Sequence, residues 1–93
     1  MGMRIVIADL DGTLSDYGHR KHLYKERDYD AFNKAGKNDK PIENICNILR
    51  ALDREETEII IMTARSDDNR MDTQEWIKLN DVPCDRLIMR PFD

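Results

Sequence analysis

Asp9 and Asp11 stand two positions apart in the run Asp9-Leu10-Asp11-Gly12-Thr13-Leu14, directly after the apolar stretch Ile5-Val6-Ile7-Ala8. Carboxylates placed in this way suit phosphoryl chemistry. A carboxylate at a strand end acts as a nucleophile on phosphorus if a divalent cation offsets the charge between it and a phosphate dianion. A second carboxylate nearby protonates the leaving oxygen and then activates water. Gly12 permits the tight turn through which main-chain amides approach an anion. Two plainer readings stand beside this one. Asp and Gly are common turn formers, so the run could be an ordinary turn. It could also begin a calcium loop, but the acidic residues an EF-hand needs do not follow. A second cluster, Thr63-Ala64-Arg65, closes the apolar run Ile59 to Met62. A guanidinium there would grip an anionic substrate in a bidentate manner, or else pair with Asp67 or Asp68.

These groups need elements that bring them together. Met3 to Ala8 reads as a buried strand that presents Asp9 at its C-terminal end. Glu58 to Met62, with three consecutive isoleucines, reads as a strand covered on both faces, and Arg86 to Met89 as a weaker third. Ile42, Ile45, Cys46, Ile48, Leu49 and Leu52 fall on one helical face, with Pro41 suited to the first turn and Asp39 and Glu43 to the helix dipole. Thr73 to Asn80 reads as a second helix ended by Asp81-Val82-Pro83. The order strand, helix, strand, helix, strand predicts an α/β fold whose parallel sheet has right-handed crossovers. Asp9, Asp11, Thr63 and Arg65 then share one rim, where such sheets bind ligands. Residues 15–40 are irregular and read as a small flap or helical insert above the site.

The remaining features bound the answer. Ninety-three residues suit one domain, and a net charge of -4 gives no global field to collect nucleic acid. The basic stretch Arg20, Lys21, Lys25 and Arg27 is interrupted by acids and reads as a solvated face. Cys46 and Cys84 read as buried free thiols, which fits a reducing cytoplasm. His19 and His22 read as surface residues, while Trp76 and Phe32 read as core aromatics rather than stacking platforms. No apolar run is long enough to cross a membrane.

The run Asp9-Leu10-Asp11-Gly12-Thr13 after Ile-Val-Ile-Ala resembles the first signature of the haloacid dehalogenase superfamily, and Ile-Ile-Ile-Met-Thr-Ala-Arg (59–65) resembles its second. A finer resemblance is to the phosphatase domains of phage-type polynucleotide kinases, carried by Thr63-Ala64-Arg65, Arg70, Thr73, Trp76 and Asp39-Lys40-Pro41-Ile42. The resemblance implies a three-layer Rossmann-like sheet. It implies a phospho-Asp9 intermediate, Asp11 as general acid and base, and phosphate binding by Gly12, Thr13, Thr63, Ala64 and Arg65. Mg²⁺ would be held by the Asp9 carboxylate and the Asp11 main-chain carbonyl. The implied substrate is a nucleotide or polynucleotide 3′-phosphate, ahead of a phosphorylated small molecule.

One departure stands out. The third-signature lysine and the later acidic strand that complete the family's magnesium site do not occur before Asp93, so the fold reads as incomplete in its C-terminal half. The alternative expectation is therefore a non-catalytic remnant or truncated segment that acts as a phosphate-binding or assembly module. In the family's strand order the Asp9 strand is central, so here Met3 to Ala8 would be an open edge. Either these residues are a segment of a longer protein, or a homo-oligomer or a second chain is expected to cover that edge.

Overall fold

A computed structural model describes residues 3–91. Strand β1 (Arg4–Asp9) runs parallel to β4 (Thr57–Ser66), and β4 runs parallel to β5 (Arg86–Arg90). Between β1 and β4 a two-residue ribbon, β2 (Ser15–Asp16) with β3 (Lys40–Pro41), closes an insert holding the short helices α1 (Lys21–Lys25) and α2 (Tyr29–Lys34). Helix α3 (Glu43–Leu52) then leads into β4, and α4 (Arg70–Leu79) leads from β4 to β5. The sheet order is β1-β4-β5. Both crossovers step across the sheet in the same direction, and right-handed connection puts their helices on the same face.

That face holds the core. Ile59 and Ile61 of β4 pack with Cys46 and Leu49 of α3 and with Trp76 and Ile77 of α4, and Val6, Ala8 and Leu87 line the margin. Leu10 and Leu14, just after β1, are fully buried and anchor the loop that carries Asp11. Alternation along a strand sends the other residues to the opposite face. There Ile5 and Ile7 are each 61% exposed, and Met62 and Ile88 are partly exposed as well. Central β4 keeps Ile60 buried between its neighbours, so the three isoleucines are covered as expected. Helix α3 is less covered than its apolar stripe predicts. Ile48 and Leu52 stay exposed, because a three-stranded sheet is too narrow to reach the whole stripe.

Strand and helix limits move by a few residues. Strand β4 continues through Ser66, with an irregularity between Thr63 and Ser66, and a 3-10 turn (Asp67–Asn69) starts α4 three residues earlier than its apolar spacing suggests. Helix α4 ends in a Schellman motif. The Val82 N–H donates to the Ile77 carbonyl and the Asp81 N–H to that of Lys78, with Asp81 in the left-handed region at φ 52°. The Arg50 guanidinium of α3 donates to the Asp81 and Asn80 carbonyls at 2.9 and 2.7 Å, tying the two helices together.

Candidate active site

The C-terminal ends of β1 and β4 lie side by side, with Asp9 opposite Met62 in the register. Asp9, exposed at the end of β1, makes no ion pair or side-chain hydrogen bond among the described residues. It lines a cavity of ≈ 380 Å³ together with Thr63, Ala64 and Arg90. After Asp9 the chain turns sharply. Gly12 has φ 82°, a conformation that favours glycine, and a Cβ there would crowd the Tyr17 ring at 3.1 Å. The Gly12 N–H donates to the Ser15 carbonyl at 2.8 Å and the Thr13 N–H to that of Leu10 at 3.2 Å. Both amides are thus engaged within the loop.

Asp11 meets two arginines. Arg20 donates to it at 2.6 Å, Arg65 at 2.7 and 3.1 Å, and the Thr63 hydroxyl at 3.2 Å. Burial alone would push the Asp11 carboxyl up, but Arg65 and Arg20 outweigh it and hold the group below the usual carboxylate range. Thr63 itself is buried, and its hydroxyl also accepts the Arg65 N–H at 3.1 Å. The sequence left Arg65 between an anion grip at the rim and a pair with Asp67 or Asp68. The pair with Asp67 or Asp68 does not form: the guanidinium is buried against Asp11 and Asp39, and Asp67 pairs with Arg70 at 2.6 Å.

Asp39 is the second hub. Its side chain is fully buried and accepts from Nε and Nη2 of Arg20 at 2.8 Å each, from Arg65 at 3.2 Å and from His19 at 2.7 Å. Two carboxylates and two guanidiniums therefore alternate beneath the rim, with charge-assisted bonds on every side. Gly36 makes room for them, since a Cβ there would lie 2.8 Å from the Arg65 guanidinium carbon. The Phe32 ring lies 4.2 Å from the Arg20 guanidinium carbon, and its carbonyl accepts from the same group at 2.9 Å. Behind Asp39, the Trp76 indole donates to its main-chain carbonyl at 2.7 Å.

Two of these residues correct the sequence reading. Arg20, expected on a solvated face with Lys21, Lys25 and Arg27, is 0% exposed, while the other three are exposed. Burial is tolerated because every part of the guanidinium has a partner. Asp39, expected to serve the dipole of α3, turns inward to bind arginine. The cysteines are both free, Cys46 buried and Cys84 half-buried. Burial pushes both thiols up, which disfavours the thiolate form. Among the described residues no three His, Cys, Asp or Glu side chains cluster as a metal cage. The unpaired Asp9 carboxylate nevertheless suits a hard cation that takes few protein oxygens and keeps most of its water. Among the described residues no helix is long and apolar enough to cross a membrane.

Two solved structures of a Pnkp1/Rnl/Hen1 complex, one titled an RNA repair complex, each contain a chain 22% identical to this one. They superpose with a TM-score of 0.76 and are covered to 29% and 27% of their length by the whole of this chain. A structural-genomics target from Vibrio cholerae is 26% identical with a TM-score of 0.62, over 94% of this chain and 69% of that one. The chain thus spans less than a third of the Pnkp1-complex chains, whose likeness speaks for the fold. No curated protein matches the sequence significantly. Residues 3–93 match the phosphatase domain of polynucleotide kinase PNKP, within the haloacid dehalogenase type. The chain belongs to the family of polynucleotide kinase PNKP phosphatase domains.

Proposed function

We propose that this chain carries the nucleophile half of a phosphomonoesterase acting on polynucleotide ends, with a 3′-phosphate on a nucleotide or nucleic acid as the favoured substrate. One observation carries the reading: Asp9 stands unpaired in an open cavity at the strand end, while two residues later Asp11 is locked by two arginines. The free carboxylate is the one able to attack phosphorus, forming an aspartyl-phosphate as the ester oxygen leaves. Mg²⁺, held by Asp9 and the Asp11 main-chain carbonyl, would neutralise the charge between carboxylate and phosphate. The family assignment supports phosphatase chemistry, and the presence of the Pnkp1 neighbours in an RNA repair complex supports a nucleic-acid end.

The lowered Asp11 favours one half of its role. An ionised carboxylate is ready to accept a proton from the water that opens the aspartyl-phosphate. Donating a proton to the leaving oxygen requires weaker arginine contacts, and an arriving phosphate dianion would supply that by competing for Arg65. Gly12, Thr13, Thr63 and Ala64 border the phosphate in this reading. In this reading residues 1–93 form part of one phosphatase domain, with about 15–40 as a small flap or cap, and work in the cytoplasm.

A second reading draws on the same lock. Arg20, Arg65 and Thr63 all donate to Asp11 already, which also suits a module that assembles with a partner, or binds phosphate only by displacing Asp11, without turning substrate over. Asp9→Asn separates the two, tested on a 3′-phosphorylated oligonucleotide with Mg²⁺. Loss of all phosphate release is expected. Release at most of the unsubstituted rate would remove Asp9 from the nucleophile role, and no release by either protein would favour the module.

A further inference from the structure

Arg90 lies between two cavities. On one side is the space bordered by Asp9, and on the other a polar cleft of ≈ 230 Å³ lined by Arg90, Tyr29, Asn33, Ser66 and Asn69. Its Nε donates to the Ala64 carbonyl at 3.2 Å and its Nη atoms make no ion pair among the described residues. This bond brings the exposed guanidinium to the junction with donors to spare.

The cleft carries unused hydrogen-bonding groups. The Ser66 hydroxyl is buried at the cleft wall and has no hydrogen-bond partner among the described residues. Asn69 occupies the N-cap position of α4 without capping it; its amide donates to Asp68 at 3.2 Å and its carbonyl oxygen is left over. Asn33 makes no side-chain hydrogen bond among the described residues, and the Tyr29 ring is half exposed.

Charge decides what fits. Asp30 and Asp68 also line this cleft, so a run of phosphates would be repelled there. Carboxylates, amides and hydroxyls do accept and donate to sugar hydroxyls and base edges, and an exposed phenol ring offers a stacking face for any base. The volume falls below the roughly 300–1,000 Å³ of drug-sized pockets, which suits one nucleoside rather than a strand.

Resting on the phosphatase reading above, we propose that this cleft holds the base and sugar of the nucleotide whose phosphate meets Asp9. Tyr29 stacks on the base, Asn33 and Asn69 bond its edge, and Arg90 holds the linkage between sugar and phosphate. The site therefore selects a nucleotide over a bare phosphate ester.

Calorimetry on the whole chain with Mg²⁺ tests it, with three probes: a 3′-phosphorylated dinucleotide, the same dinucleotide with a 3′-hydroxyl, and inorganic phosphate. Tyr29→Ala and Asn33→Asp, both on an exposed helix, are expected to weaken the phosphorylated dinucleotide about tenfold. Inorganic phosphate should bind them as it binds the unsubstituted chain. Equal affinity of variants and unsubstituted chain for the dinucleotide would overturn the cleft assignment, and would leave the phosphatase reading intact if Asp9→Asn still lost phosphate release. Weak but Tyr29-dependent binding of the 3′-hydroxyl dinucleotide would support the cleft even if release were absent. A chain that binds neither dinucleotide overturns the proposal.

Discussion

Asp39 illustrates how far a single buried carboxylate reaches: three cationic or ionisable side chains and an indole converge on it. Asp39→Ala would leave Arg20 and Arg65 buried with half their partners, a change that costs about 3–5 kcal/mol in comparable cases. Urea unfolding should register that loss. Gly36→Ala is expected to destabilise as well, because its methyl would displace the Arg65 guanidinium from 2.8 Å. For Asp11 the direction follows from linkage. Its folded pKa is depressed, so its contribution is fully present above the ordinary value of 3.8 and is lost as pH falls through the lower folded value. Melting temperatures recorded in acid without added metal should drop less steeply in Asp11→Asn than in the unsubstituted chain. Asp9, Asp11, Thr63 and Arg65 stood out in the sequence because each lies within three positions of the end of an apolar run. The partners of Arg65 were not, since Asp11 and Asp39 lie 54 and 26 positions away and no local spacing announces them. Arg20 was hidden for another reason: its neighbours are exposed cations, and only the tertiary fold separates it from them.

At the scale of elements, apolar runs and helical spacing located all three sheet strands and both long helices. Limits were less legible where hydrogen bonding rather than burial sets them. Strand β4 extends past Met62 because polar Thr63, Arg65 and Ser66 remain in the ladder or the network, and no hydrophobic pattern marks that. The close of α4 offers a direct test. Asp81 adopts φ 52°, a conformation that costs an L-residue roughly 1–2 kcal/mol and a glycine almost nothing. Asp81→Gly should raise stability by about 0.5–1 kcal/mol once the freer unfolded chain is counted, as thermal unfolding would show. The insert between β2 and β3 was the least legible part, because short helices of five and six residues lack a full apolar period.

For the whole molecule, the order β1-β4-β5 leaves β1 with a partner on one side only among the described residues, as the signature order had implied. Its outward face carries Ile5 and Ile7, each 61% exposed, beside Met62 and Ile88. Unpaired edges with apolar side chains invite another strand, so the 93-residue chain is expected to self-associate or to bind a second chain there. Sedimentation should show association that Ile5→Lys with Ile7→Lys removes; a monomer at all concentrations would contradict this. The sequence conveyed this edge through topology rather than composition, since β1 reads as apolar as a central strand. One contact gives the molecule an internal optical reporter. Trp76 is the sole tryptophan and its indole is bonded to Asp39, directly behind the arginines. Native emission should therefore be blue-shifted. Any ligand that loosens the buried charges should change its colour or intensity without a label, making the resting and engaged arrangements distinguishable in a cuvette.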